Sequence, residues 1–320
     1  MHIDSHRPSA WVSASDGIRL ALYTWGDINK PTVILVHGYP DSARIWKQVA
    51  EKLANDFHVV AYDVRGAGAS AKPARQRDYR LDYLSADLCA VIDKASPDRP
   101  VHLVAHDWGS IQTWESVTDP KLRPRIASFT TLSGPCLDHV GFWLRQQLRE
   151  RRFGKLARQA WHSWYIAAFH LPLLAPLAWK FGGRRWPAFI ARLENTPVAP
   201  DPLQIDNGRR GIALYRANML PRLLHPRNRF TEVPVLLLVA RQDPFVGPEL
   251  YLGLERWVPH LEREDLEVGH WSPLSQPALI ADRVAAFVRR LETSTRGAAK
   301  GQRKPVSARQ SEQSPSQPVG

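Results

Sequence analysis

The chain has 320 residues, 44% of them hydrophobic and 23% charged, with a formal net charge of +12 at pH 7. That composition marks a soluble globular protein with one large core, or one core plus an inserted subdomain. Two cysteines, Cys89 and Cys136, cannot make a disulfide framework and no Cys/His cluster has metal-ligand spacing, so neither metal nor cofactor is expected and a reducing cytoplasm fits best.

The N-terminus, MHIDSHRPSA, lacks an apolar stretch of signal-peptide type, and none is expected. An alternation of short apolar strands and amphipathic helices follows. Strands are predicted over Ile18–Trp25, Thr32–Val36, Phe57–Tyr62, Val101–Ala105 and Ile126–Leu132, and helices over Ala43–Asn55, Leu81–Ala95 and Ser110–Thr118. The second of these helices sets Leu81, Leu84, Leu88, Val91 and Ile92 on one face, the spacing of a helix packed on a sheet. Such alternation implies a mostly parallel sheet covered on both faces.

From Leu137 to Phe230 the chain is rich in Trp, Arg and Pro and has no strand-like run, which predicts an inserted helical subdomain. Its most apolar run, Trp164–Trp179, is cut by Pro172 and Pro176 and falls short of the ~20 residues of a membrane span, although it suits a pocket wall or a membrane surface. Basic clusters at Arg149–Arg158 and Gly182–Trp186 come without a nucleic-acid recognition motif. They read as a solvated basic face with some attraction for anionic lipid, and no nucleic-acid partner is expected. The sheet rhythm returns at Val233–Ala240 and Leu261–Val268, and a last helix is predicted over Pro277–Leu291. The predicted layout is thus a core in two parts, 1–136 and 231–291, a cap at 137–230, and a disordered basic tail at 292–320. Oligomeric state is not legible.

The stretch VHLVAHDWGS, Val101–Ser110, reads as a strand, a tight turn and a helix with Asp107 at the turn. Taken alone, Asp107 suits a helix N-cap and Asp243, in RQDP, suits a turn. His270 is one of 12 histidines. Together they follow the nucleophile–acid–base chain order of an α/β-hydrolase, each just past a strand. Asp138 is the rival acid; the default position of that fold favours Asp243. His37, His58, His102 and His106 lie in or beside strands and read as structural or supporting groups. The run GAGASA, Gly66–Ala71, fits a dinucleotide-binding pattern formally, but Pro73 and a polar run follow it where a helix should begin.

Four segments, HGYPDSARIW (His37–Trp46), AHDWGS (Ala105–Ser110), ARQDPFV (Ala240–Val246) and GHWSPLSQP (Gly269–Pro277), resemble the epoxide-hydrolase branch of the α/β-hydrolases. The likeness runs from about Val12 to Leu291 and is strongest to the hydrolase part of bacterial proteins in which it precedes a short-chain dehydrogenase, a second domain not expected within this chain. One departure is Ala105, where the elbow pattern has glycine. The resemblance implies an α/β-hydrolase fold with a mostly parallel eight-stranded sheet, helices on both faces and an inserted helical cap. It implies hydrolysis of an apolar, small-molecule epoxide to a vicinal diol with no cofactor. Asp107 would be the nucleophile, because a carboxylate attacking saturated carbon leaves an ester on the enzyme that water activated by His270–Asp243 can cleave. Backbone N–H groups of Tyr39 and Trp108 would form the oxyanion hole, and Tyr165 and Tyr215 would donate to the epoxide oxygen. His37, Pro40, Trp164 and Trp271 are expected in the substrate pocket, and Trp143, Trp161, Trp179 and Trp186 suggest an aromatic lining. The other readings are a dehalogenase using the same Asp nucleophile, against which Tyr39 and Trp108 speak, and a non-catalytic lipid-binding relative.

Overall fold

The computed structural model describes residues 7–301, and the side chains of residues 7–294. Its sheet has eight strands: β1 Ala10–Ser13, β2 Arg19–Trp25, β3 Thr32–Val36, β4 His58–Tyr62, β5 Val101–His106, β6 Ile126–Leu132, β7 Val235–Ala240 and β8 Leu261–Leu266. They lie in the order β1-β2-β4-β3-β5-β6-β7-β8. The first two pairings, β1 with β2 and β2 with β4, are antiparallel and the rest are parallel.

The helices of the core are α1 Lys47–Leu53, α2 Leu81–Ala95 and α3 Trp108–Val117. An insertion between β6 and β7 holds α4 Leu137–Arg149, α5 Phe153–His162, α6 Trp164–His170, α7 Leu174–Gly182, α8 Trp186–Glu194 and α9 Gln204–Leu224. The chain then closes with α10 Ser272–Ser275 and α11 Pro277–Gly301.

Central strands are buried on both faces, which is why β3, β4, β5 and β7 read as continuous apolar runs. Alternate side chains of β3 divide between two cores: Ile34 and Val36 join the cluster that includes α2, while Val33 and Leu35 join the one that includes α1 and α11. Leu84, Leu88, Val91 and Ile92 of α2 are buried as their spacing predicts. Burying each contributes about 1.5–3 kcal/mol.

Several boundaries differ from the sequence reading, for local reasons. β1 was not predicted; it is a short edge strand whose side chains alternate between half-buried and exposed, so it lacks an apolar run. The expected helix over Ala43–Asn55 opens with a 3₁₀ turn, Ala43–Trp46, before α1. Pro234 has no N–H for the ladder, and β7 starts after it, with the Pro234 carbonyl accepting from Phe129. The last helix continues past Leu291 to Gly301, so the disordered tail does not begin at 292. Thr293 and Ser294 hydroxyls donate to the carbonyls of Arg289 and Arg290, and helix propagation costs far less than nucleation. The remainder of the expected tail, 302–320, lies outside the described residues.

The α9 helix ties the insertion to the core through three buried amide side chains. Asn218 accepts from the Leu81 N–H and donates to the Tyr79 carbonyl, both at 2.9 Å. Gln204 donates to the Pro40 carbonyl at 2.9 Å, and Asn207 accepts from the Gly68 N–H at 3.0 Å. That last bond shows what the Gly66–Ala71 loop does: it receives a side chain from α9 and is followed by a 3₁₀ turn at Gln76–Tyr79. Replacing Asn218 by leucine would leave the Leu81 donor and Tyr79 acceptor buried and unpaired, and we expect a loss of roughly 2 kcal/mol or more in urea unfolding. An unchanged midpoint and slope would show that the amide does not hold this joint.

Candidate active site

The β5 strand delivers Asp107 into a turn with φ 53° and ψ −126°, a conformation that L-residues adopt only when the surroundings impose it. Two glycines make this turn possible. A Cβ on Gly109 would come within 2.2 Å of the Val36 carbonyl oxygen, and one on Gly134 within 2.2 Å of the carbonyl oxygen of Asp107 itself. Ala105, the departure from the usual pattern, buries its methyl in the core without disturbing the turn.

The Asp107 carboxylate is fixed by one oxygen and free at the other. Oδ1 accepts from the Tyr39 N–H at 2.6 Å, and the Trp108 amide also favours the ionised form. Burial outweighs these donors and the nearby imidazole, pushing the Asp107 pKa up to about 6. Oδ2 faces His270 Nε2 at 3.8 Å, too far for a direct hydrogen bond.

His270 Nδ1 meets Asp243 Oδ2 at 2.8 Å, the geometry of a protonated Nδ1 donating to the carboxylate. The other oxygen of Asp243 accepts from the Phe245 and Val246 N–H groups at 2.8 and 3.0 Å. Burial would by itself lower the His270 pKa and raise that of Asp243; their mutual attraction wins in both. Asp243 is held below the usual carboxylate range, while Asp243 and then Asp107 raise His270 to about 9. Asp138, the rival acid, accepts instead from the Arg227 N–H at 2.8 Å and pairs with the guanidinium groups of Arg227 and Arg229.

Tyr165, on α6, and Tyr215, on α9, reach the same place. Their ring centroids are 6.1 Å apart, and the Tyr215 ring packs edge-on to Trp108 at 4.8 Å and to Tyr39 at 5.2 Å. Burial and the Asp107 charge raise both phenol pKa values, so both stay protonated at any working pH. Tyr39 donates its own hydroxyl to the Gly208 carbonyl at 3.0 Å, which ties the loop after β3 to α9.

Two chambers meet here. One, about 320 Å³, is walled largely by aromatics, including Phe169, Trp179, Trp186 and Trp271. The other, about 660 Å³, is walled mainly by aliphatic residues such as Leu137, Leu144, Leu156 and Leu223. Asp107, Tyr165, Tyr215 and Phe245 belong to both walls.

Pro40, Trp164 and Trp271 line the first chamber as expected from the sequence, together with His270. His37 does not. Its Nε2 accepts from the Val64 N–H and its Nδ1 donates to the Gly38 carbonyl, both at 2.9 Å, so it supports the loop carrying Tyr39 from behind. Trp143 and Trp161 also lie away from this chamber: Trp143 packs in a separate small cluster and Trp161 is exposed. The residues not anticipated are Phe169, Phe245 and Asp41. Asp41 accepts from the Trp271 indole at 3.1 Å, and burial pushes its carboxyl up to about 7. A buried acid four residues after His37 in HGYPD carried a signal, but the aspartate also suits the turn that it occupies.

An eight-stranded, mostly parallel sheet that raises Asp107 on a strand-to-helix elbow and brings Asp243 and His270 from later loops defines an α/β-hydrolase. The chain belongs to that family, whose signature, the alpha/beta hydrolase fold, matches residues 31–277. Among its relatives is a Mycobacterium tuberculosis protein named Probable oxidoreductase EphD, 37% identical over 295 residues, which make up 87% of this chain and 49% of that protein. The chain therefore spans about half the length of that relative. Mouse Epoxide hydrolase 4 is 24% identical over 289 residues, 85% of this chain and 77% of that protein. A crystal structure of an epoxide hydrolase from Bacillus megaterium superposes with a TM-score of 0.72 at 22% identity, covering 88% of this chain and 100% of the other, a likeness of fold.

The electrostatic assignment has a direct consequence. Because Asp243 is the largest influence raising His270, Asp243→Asn should bring the imidazole pKa down from about 9 toward its ordinary value of about 6.5. Histidine ring NMR during a pH titration reads this shift, and an unmoved His270 would remove Asp243 as its partner.

Proposed function

We propose that the chain is an epoxide hydrolase that opens an apolar epoxide through an alkyl ester on Asp107. Oδ2 attacks one oxirane carbon as the C–O bond breaks, while Oδ1 stays against the Tyr39 and Trp108 amides. The departing oxygen remains tethered to the substrate and takes a hydrogen bond, then a proton, from the Tyr165–Tyr215 pair. Alkylation removes the negative charge of Asp107, one of the groups that raise His270, so the imidazole pKa falls; the imidazolium releases its proton, one proton restores the phenol, and the neutral ring becomes a base. Water activated at His270 Nε2 then attacks the Asp107 carbonyl carbon, and the oxyanion develops on Oδ1, where an amide donor is typically worth about 3 kcal/mol. Collapse expels the diol and restores the carboxylate.

The observation that carries this reading is the pair of protonated phenols, Tyr215 buried and Tyr165 half-buried, walling the same two chambers as Asp107. A halide leaving group needs no proton donor, so two phenols beside Asp107 favour an epoxide. The names of several relatives support the same chemistry. Chambers on both sides of Asp107 suit an epoxide with apolar substituents on each oxirane carbon. Their walls carry few polar groups to compete for the ring oxygen.

Rapid-quench measurement of ring opening tests this role. Tyr165→Phe or Tyr215→Phe should slow alkylation by about 10²–10⁴-fold and the double variant further, while breakdown of an ester already formed changes little. A double variant that opens epoxides at the parent rate would reduce the tyrosines to packing.

A further inference from the structure

We propose that the face formed by α5 to α8 docks on the surface of an anionic phospholipid bilayer, with the mouth of the aromatic chamber turned toward the lipid. Two features of the insertion coincide on this face. The first is apolar exposure. No residue of α5 or α6 is fully buried, although Tyr165, Ile166 and Phe169 turn half-buried toward the core, and Trp161 is 78%, Phe181 77%, Leu173 75% and Trp164 66% exposed. Single exposed apolar residues are ordinary, but large aromatics gathered along successive helices mark a surface that water should not face.

The second feature is charge. Residues 151–193 carry eight Lys and Arg and no Asp or Glu. Arg184 and Arg185 are exposed and pair with no acidic side chain among the described residues, and Lys180 lies over the Phe181 ring at 5.6 Å from its centroid. Aromatic and leucine side chains interleaved with unpaired cations are what an interfacial segment presents to anionic headgroups. A second copy of the chain would bring the same positive charge against itself, which disfavours a self-interface.

Position links the surface to the cavity. Exposed Trp164 and Phe189, together with Gly182 next to Phe181, line the aromatic chamber. An apolar substrate dissolved in the bilayer would then enter from the docked face without crossing water. That delivery step rests on the epoxide chemistry proposed above; the docking does not.

Vesicle flotation of the full chain separates the two. We expect binding to vesicles of phosphatidylcholine mixed with phosphatidylglycerol, weakened by salt, and little binding to phosphatidylcholine alone. Reversing charge at two positions, Arg184→Glu with Arg185→Glu, should weaken binding by at least about tenfold, since each basic group near an anionic surface contributes severalfold. Phe181→Asp should do likewise. Both variants should retain the parent turnover of a small water-soluble epoxide, because neither position is in the reactive centre. If these variants float like the parent, or if zwitterionic vesicles bind as well as anionic ones, the assignment is wrong. A parent dimer in sedimentation equilibrium that Phe181→Asp converts to monomer, with no vesicle binding, would instead make the face a contact between copies.

Discussion

A carboxylate held out of water at the end of β5 is the constraint that organises this molecule. Burying an ion is costly unless donors and counter-charges surround it, and Asp107 has both: the Tyr39 amide at 2.6 Å and the His270 ring at 3.8 Å. Against the burial that raises it, their combined effect holds its pKa to about 6, low enough for the carboxylate to be ionised at neutral pH. The same proximity couples the two ends of the reaction. The Asp107 charge helps to hold a proton on His270; in the proposed reaction, esterifying the carboxylate removes that influence and frees the ring to act as base. One charge thus sets the order of the two proposed steps.

The insertion is part of the same arrangement. The α9 helix carries Tyr215 and also the three amides that bind the Leu81, Pro40 and Gly68 backbones. The phenol is therefore positioned from the core, by hydrogen bonds made at both ends of one helix. The Tyr39 ring closes the loop, since its hydroxyl donates to Gly208 while its own amide holds Asp107. Motion of α9 relative to the core would disturb the Tyr215 phenol and the Tyr39 amide together.

Much of this was legible in the sequence because it is written in local patterns. Apolar runs flanked by turns located six of the eight strands, the returning sheet rhythm placed the charged edge strand β8, and the short alternating edge strand β1 escaped. Asp107, Asp243 and His270 stood out by chain order and by their places after strands. The choice between Asp243 and Asp138 could not be read locally, because both follow a strand. It depends on partners distant in sequence: Arg227 and Arg229 engage Asp138, whereas the His270 ring engages Asp243. Tryptophans posed a similar problem. Residue type alone cannot distinguish Trp179, which lines the chamber, from Trp161, which faces solvent. His37 is the supporting group that its place beside a strand suggested and not the pocket residue that the resemblance implied, since both its nitrogens are taken by backbone.

The central claim is that Asp107 forms a bond to carbon and that water attacks Asp107. A single turnover in heavy-oxygen water, with enzyme in excess over epoxide, examines that claim directly. The diol from that first turnover should contain only ordinary oxygen, one atom from the epoxide and one from Asp107, and the heavy atom should be found by mass spectrometry in the peptide bearing Asp107. Heavy oxygen in the first-turnover diol, with an unlabelled Asp107 peptide, would mean that water attacks the epoxide itself and would contradict the covalent account.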